Sequence, residues 1–97
     1  MKLKHTIQLA QTSDDAALLA TLAADPQVLV RLSVAGNESA TAATLAVLAR
    51  DEEWSVRYAV SQNPATPDGA MTLLRRDPNV QIQRAIQVRR IARYRKP

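Results

Sequence analysis

Apolar positions recur along this chain at a fixed interval of 26 residues, and several polar residues recur with them. The repeated positions are Val30-Arg31 with Val56-Arg57, Asn37 with Asn63, and Leu48 with Leu74. A period of this length is typical of stacked supersecondary units, each of which cannot bury its apolar face alone. We therefore divide the chain into units 4–29, 30–55 and 56–81 and an incomplete unit 82–97, which together form one repeat domain.

Each unit contains two runs of apolar residues at helical spacing. In the first run, the corresponding residues are Leu19 and Leu22, Leu45 and Leu48, Met71 and Leu74. In the second run, they are Val30, Ser33 and Val34, then Val56, Ala59 and Val60, then Ile82, Ala85 and Ile86. Spacings of three and four place these residues on one face of a helix. Each unit is therefore predicted to be a pair of short helices.

Turn residues separate the runs and support the same assignment. Thr66-Pro67 is typical of a helix start, with Thr66 as the N-cap and Pro67 at the first helical position. Ser13-Asp14-Asp15 offers a cap at the same place in its unit, and Asp25-Pro26 ends a helix because the residue before proline resists the α conformation. The predicted helices span 14–24, 28–36, 40–50, 54–62, 66–76 and 80–90, with a seventh over 3–10. The predicted fold class is all-α, a solenoid of about three to four stacked helix pairs.

Composition narrows the chemistry. The chain is 46% apolar but has no Phe and no Cys, so we expect a core of Ala, Leu, Val and Ile. The absence of Cys excludes disulfides, thiolate metal sites and thiol nucleophiles. His5, Thr6 and Gln8 interrupt the N-terminal apolar stretch, so we expect no signal peptide. No apolar run approaches the ~20 residues of a membrane span, and the expected location is the cytoplasm.

The net charge of +4 lies entirely in the second half of the chain. Residues 1–50 have four basic and four acidic side chains, whereas residues 51–97 have nine basic and five acidic ones. The last charged residues are all basic: Arg84, Arg89, Arg90, Arg93, Arg95 and Lys96. Such an end can attract an acidic protein or a polyanion, and it can equally be a solvated tail.

The stretch 56–67, Val-Arg-Tyr-Ala-Val-Ser-Gln-Asn-Pro-Ala-Thr-Pro, resembles the leucine-rich repeat variant family. Units of that family combine Val-Arg, Asn-Pro-x-Thr-Pro and spaced leucines. The spacing of Asp51 and Arg57 also resembles HEAT repeats, and the resemblance covers most of residues 13–88. It implies a right-handed α-solenoid, with second helices of α or 3₁₀ type, and a role in binding rather than in catalysis.

This chain departs from the family pattern in two places. Members of that family can carry a cysteine cluster that binds iron–sulfur, and this chain has no Cys, so we expect no cofactor. Gln83 stands where Arg31 and Arg57 stand in the earlier units. We interpret the recurring Asp and Arg as structural ion pairs, each of which contributes ~0–1 kcal/mol where it is exposed.

When the units are aligned, Trp54 falls in the same column, that is at the same position of the unit, as Val28 and Val80, at the start of a second helix. Because the other two residues of this column are aliphatic, a core position is favoured. The alternative is an aromatic side chain that anchors a ligand.

Nothing in the sequence favours an enzyme. His5 is the only histidine, and the acids 14–15 and 51–53 stand where helix ends place solvated carboxylates. The two glycines, Gly36 and Gly69, lie in separate units, which excludes a Gly-rich phosphate loop. No cluster of His or carboxylates has the spacing of metal ligands, so we expect no metal site.

The remaining function is macromolecular binding through the outward side of the second helices and the basic end. The candidate partner-binding residues are Arg31, Leu32, Arg57, Tyr58, Ser61, Arg84, Gln87, Arg89, Arg90 and Arg93. Tyr and Arg are common interface anchors, so the leading hypothesis is a protein or peptide partner of acidic character. The alternative partner is nucleic acid, because arginine fits phosphate well, although no aromatic residues interleave with the basic positions. The oligomeric state stays open.

Arg89 stands in the column of Asn37 and Asn63. On a continuing helix it lies over the stripe of Ile82 and Ile86, where apolar packing cannot continue. Residues 89–97 therefore cap the end of the stack with charge, fray, or fold onto a partner.

Overall fold

The computed structural model describes residues 2–89 in full and the helical backbone of residues 90–94. The helices are α1 (Leu3–Thr12), α2 (Ala16–Leu22), α3 (Val28–Ala35), α4 (Ala42–Leu48), α5 (Trp54–Gln62), α6 (Asp68–Leu74) and α7 (Val80–Tyr94). These are all α-helices, and the described residues contain no strand. The prediction of an all-α fold is confirmed, as is a helix at each of the seven predicted places.

The helices form two groups that alternate along the chain. α1, α3, α5 and α7 lie side by side in chain order, each in contact with the next. α2 packs against α3, α4 packs against α3, α5 and α6, and α6 packs against α5 and α7. α2, α4 and α6 begin at residues 16, 42 and 68, and α3, α5 and α7 begin at residues 28, 54 and 80. The resulting body measures 44 × 29 × 20 Å.

The core consists of the apolar residues that recur at corresponding positions of each unit. The fully or almost fully buried ones include Leu19, Leu45 and Met71; Leu48 and Leu74; Val30, Val56 and Ile82; Val34, Val60 and Ile86. Leu22, the column mate of Leu48, is only partly buried but packs against this cluster. Because each fully buried aliphatic side chain contributes about 1.5–3 kcal/mol, these recurring residues supply the main apolar contribution to folding in a chain that lacks Phe.

Short polar side chains begin two of the short helices. Asp15 caps α2 by accepting hydrogen bonds from the N–H groups of Ala17 and Leu18 at 3.0 and 3.1 Å. The hydroxyl of Thr41 caps α4 by accepting from the N–H of Thr44 at 3.2 Å. Each cap satisfies amide groups that have no partner within the first helical turn.

The predicted cap at Thr66 is wrong. Pro67 is the N-cap residue of α6, and Asp68 is the first residue of the helix. The hydroxyl of Thr66 points back to α5 instead, where it donates to the carbonyl of Val60 at 2.6 Å. That carbonyl lies in the last turn of α5, so Thr66 ends one helix rather than starting the next.

The predicted core position of Trp54 is also wrong, because 47% of this residue is exposed. Trp54 precedes the buried Val56 by two residues, which is about 200° around the helix and therefore close to the opposite face. Its ring meets that of Tyr58 edge to face, with centroids 6.2 Å apart and an interplanar angle of 76°. Two of the three aromatic residues of the chain thus lie together on the surface.

Candidate functional site

The guanidinium groups of Arg31 and Arg57 hold the turns between the helices together. Arg31 donates from Nε to Asp51 Oδ2 at 2.8 Å and from Nη2 to Asp51 Oδ1 at 3.2 Å. Its Nη1 donates to the carbonyls of Asp25 and Pro26 at 2.9 and 3.2 Å. One side chain therefore binds the main chain of the preceding unit and the carboxylate of its own unit.

Arg57 repeats this arrangement one unit later. Its Nε and Nη2 donate to the carboxylate of Asp77 at 2.7 and 3.3 Å, and its Nη1 donates to the carbonyl of Asp51 at 2.8 Å. The side chains of Arg31 and Arg57 are only 11% and 16% exposed. The expectation that they face outward to bind a partner is therefore wrong, because both are used within the fold.

These ion pairs shift the pKa of the acids. Burial alone would raise the pKa of Asp51, but hydrogen bonds from Arg31 and from the N–H of Glu53, together with the arginine charges, lower it below its ordinary value. The pKa of Asp77 is lowered in the same way, with burial opposed by the hydrogen bond and charge of Arg57 and by the N–H of Asn79. Both carboxylates are therefore held in the ionised form.

Gln83 takes over part of this role in the last unit. Its Nε2 donates to the carbonyl of Asp77 at 2.5 Å, as Arg57 does to the carbonyl of Asp51. Gln83, which replaces the arginine of the earlier units, thus keeps the hydrogen bond to the main chain but carries no positive charge.

A second set of polar side chains bridges the carboxyl ends of neighbouring helices: Asn37, Asn63 and Arg89, called here the carbonyl-bridging residues. Nδ2 of Asn37 donates to the carbonyls of Ala10 and Ser13, both at 2.9 Å. Nδ2 of Asn63 donates to those of Ala35 and Asn37 at 2.8 and 3.0 Å.

Arg89 continues this set with a different side chain. Its Nη1 donates to the carbonyls of Ser61 and Asn63 at 3.1 and 3.0 Å. The last carbonyls of a helix have no partner within that helix, and each carbonyl-bridging residue supplies one from the next unit. Whether residues 89–97 cap the end of the stack with charge, fray or fold onto a partner stays a prediction. The backbone is helical to Tyr94, and residues 95–97 lie outside the described residues.

A groove of about 490 Å³ runs between α5 and α7, called here the α5–α7 groove. Its lining residues are Tyr58, Ser61, Gln62, Pro64, Gln81, Arg84, Ala85, Val88 and Arg89. Tyr58 and Val88 supply exposed apolar surface, 37% and 65% exposed respectively. Arg84 is exposed, Arg89 is half-buried, and none of the lining residues is acidic.

Four of the ten predicted partner-binding residues line this groove: Tyr58, Ser61, Arg84 and Arg89. The hydroxyl of Ser61 is buried and donates to the carbonyl of Tyr58 at 2.5 Å. Leu32 is half-buried against the core, and Gln87 is exposed on α7. The side chains of Arg90 and Arg93 lie outside the described residues.

The prediction missed Gln62, Pro64, Gln81, Ala85 and Val88 as groove residues. Helical spacing could have predicted two of them. Gln62 follows Tyr58 by four residues and Val88 follows Arg84 by four, so each lies one turn further along the same face of its helix. Pro64 lies in the turn after α5 and carries no such signal.

The described residues also line recesses outside the groove. One, of about 650 Å³, lies on α1 and is lined by Leu3, Lys4, Ile7, Gln8, Gln11 and Thr12. Another, of about 530 Å³, lies at the turns before α3 and α5 and contains Asp25, Asp51 and Glu52. It does not contain His5, the only histidine of the chain.

Among the described residues, no three His, Asp or Glu side chains are grouped as metal ligands are. No helix in that part of the chain has the length and hydropathy needed to cross a membrane.

Comparisons of this chain with protein-family models, with curated proteins and with solved structures found no match.

Proposed function

We propose that this chain is a non-catalytic interaction module that binds a protein or peptide of acidic character in the α5–α7 groove. The proposed scaffold is a right-handed α-solenoid of the leucine-rich repeat variant type, with a period of 26 residues. Three features support that scaffold. Helix starts share this interval, the Arg–Asp pairs recur in register, and the carbonyl-bridging residues recur in register.

One observation carries the binding proposal. Tyr58 is exposed beside Trp54, and it lines the same groove as Arg84. No hydrogen bond or ion pair joins the Arg84 side chain to another described residue. Tyr, Trp and Arg are the residues most enriched at the energetic centres of protein interfaces. A groove that combines Tyr58 with two arginines and no acid fits apolar side chains flanked by carboxylates.

Nucleic acid is the alternative partner. The basic positions that favour it include Arg31 and Arg57, and both are neutralised by Asp51 and Asp77. The continuous basic track that phosphates require is thereby shortened to Arg84 and the residues that follow it. The acidic protein or peptide therefore has the stronger support.

Selection of a random peptide library on the immobilised full chain tests the proposal. We expect enriched peptides to carry acidic residues next to apolar ones. Their affinity should fall by about 10-fold or more with Tyr58→Ala or Arg84→Ala, as truncation of interface anchors does. Val47→Ala is the matched control, because Val47 is 65% exposed on α4 and does not line the groove. Peptides that bind both groove variants as tightly as they bind the unchanged chain would overturn the proposal.

Titration with a generic DNA duplex and a single strand, at about 50 mM and about 200 mM salt, tests the alternative. Binding that falls steeply with salt and is stronger than that of the selected peptides would replace the acidic partner with a nucleic acid. Absence of binding at the lower salt concentration removes the alternative.

A further inference from the structure

We infer that Arg89 is a pre-positioned receptor for a side-chain carboxylate, and that the α5–α7 groove takes an extended peptide segment with two acidic residues separated by one position. This inference rests on the proposed function, which it makes more specific.

Three arginines, Arg31, Arg57 and Arg89, use the same side-chain nitrogen, Nη1, to bind main-chain carbonyls. Nη1 of Arg31 and Nη1 of Arg57 donate to main-chain carbonyls, and so does Nη1 of Arg89. In Arg31 and Arg57 the opposite edge of the guanidinium, formed by Nε and Nη2, holds a carboxylate in a two-pronged pair.

That edge of Arg89 makes no hydrogen bond with any described residue. Arg89 lines the groove, and its Nη1 is held by the carbonyls of Ser61 and Asn63 and lies 3.8 Å from the sulfur of Met71. A guanidinium held in this way loses little freedom when it binds, and its planar fork matches a carboxylate. The protein thus contains two internal examples of the complex that Arg89 is arranged to form with a partner.

Arg84 supplies a second cation in the same groove. It precedes Arg89 by five residues on α7, which is about 7.5 Å along the helix axis and about 140° around it. In an extended chain, side chains on the same face are two residues and about 6.6 Å apart. Two acidic side chains at that spacing can reach both arginines, whereas the single carboxylate at a chain end can reach only one. Apolar residues beside them are placed to cover Tyr58 and Val88.

Asparagine at position 89 removes the guanidinium fork. Asn37 and Asn63 occupy the corresponding positions of earlier units and bind carbonyls at the end of the preceding helix. They follow the ends of α3 and α5, however, whereas Arg89 lies within α7. The melting temperature of Arg89→Asn is therefore measured beside its affinity, to separate loss of the fork from loss of the bonds to Ser61 and Asn63.

The probes are blocked peptides that contain Leu-Ala-Glu-Ala-Glu, the same peptide with both Glu replaced by Gln, and an Ala peptide with a free terminal carboxylate. Calorimetry on the full chain should show the Glu peptide binding about 10-fold or more tightly than either of the others, since charge-assisted bonds are the stronger ones. The NMR signal of the Arg89 Nε–H group should shift with the Glu peptide. Arg89→Asn and Arg84→Gln should each reduce the preference.

Any one of three results overturns the inference. The unchanged chain binds the Glu and Gln peptides equally tightly, or it binds the Ala peptide with a free terminal carboxylate as tightly as the Glu peptide. The third is that Arg89→Asn still prefers the Glu peptide over the Gln peptide by the full factor. If Arg89→Asn lowers the melting temperature, Arg89→Lys decides, because lysine keeps a charge and a donor but has no fork. Full preference in Arg89→Lys also overturns the inference. Library peptides that still depend on Tyr58 would leave the proposed function standing in each of these cases.

Discussion

The side chains of Arg31 and Asp51 stand twenty residues apart in the chain and meet in a two-pronged ion pair, with N–O distances of 2.8 and 3.2 Å. Arg57 and Asp77 form the same pair one unit later, with distances of 2.7 and 3.3 Å. Asp51 lies in the turn before α5 and Asp77 in the turn before α7, so each pair ties α3 or α5 to the turn that precedes the next helix of that row.

Arg57→Gln should destabilise the fold by about 3 kcal/mol, because it leaves the buried carboxylate of Asp77 without its cation. Gln83 shows that glutamine can keep the bond to the main chain, so the change removes mainly the charge pair. The double variant Arg57→Gln/Asp77→Asn should recover much of the loss. Denaturant unfolding followed by circular dichroism measures both, and strict additivity of the two single changes would exclude coupling.

Acid should weaken the fold through the same carboxylates. The pKa values of Asp51 and Asp77 are lowered in the folded state, so their contribution is complete above the unfolded value of about 3.9. It is lost as the pH falls through the lower folded-state pKa values. The free energy of unfolding should therefore decline from about pH 4 downward.

The control for this pH dependence is Asp51→Asn/Asp77→Asn. It should be less stable at neutral pH but should lose less of its stability below about pH 4, because two of the linked protons are gone. Thermal unfolding across the acid range measures the difference. Parallel curves for the two proteins would show that other carboxylates cause the decline.

Asn63→Ala should cost about 1–3 kcal/mol, because the amide donates to the buried carbonyls of Ala35 and Asn37. Without it, the carbonyl of Asn37 keeps the N–H of Ala40 as a donor. Gln62→Ala is the matched control, since Gln62 is the exposed neighbour and should change the stability by less than about 0.5 kcal/mol. Equal losses for the two variants would argue against a structural role of the bridge.

Leu48→Ala should cost about 2–5 kcal/mol, because Leu48 is 1% exposed and the change leaves a cavity. Its neighbour Val47 is 65% exposed, so Val47→Ala should be close to neutral. Chemical denaturation of the two variants compares them directly. A small effect for both would mean that this column is not part of the core.

Gly69→Ala should stabilise the protein by about 0.5 kcal/mol, since alanine loses less conformational freedom than glycine in a helix. Gly69 lies in α6, and an added Cβ would meet no atom within 4 Å. The melting temperature should rise by about 2–4 °C. A decrease would show that the flexibility of glycine is needed at the start of α6.

Helical spacing alone was enough to locate the helices and most of the core. Val30, Val34, Leu45 and Leu48 were identified by intervals of three and four, and the structure buries them all. Four residues of the groove are among the binding residues that the sequence predicts: Tyr58, Ser61, Arg84 and Arg89. The predicted outward positions of Arg31 and Arg57 are wrong, because a helical wheel shows which side of a helix is apolar but not what lies beside its polar residues.

The sequence by itself determined the periodic and local features: the helices, their approximate ends and the apolar columns, because these depend on contacts within a few residues along the chain. Only the tertiary structure decided which arginines are neutralised and how Arg89 is held. Those outcomes depend on partners about twenty to twenty-eight residues away, and stacking of the units, rather than the local pattern, brings those partners together.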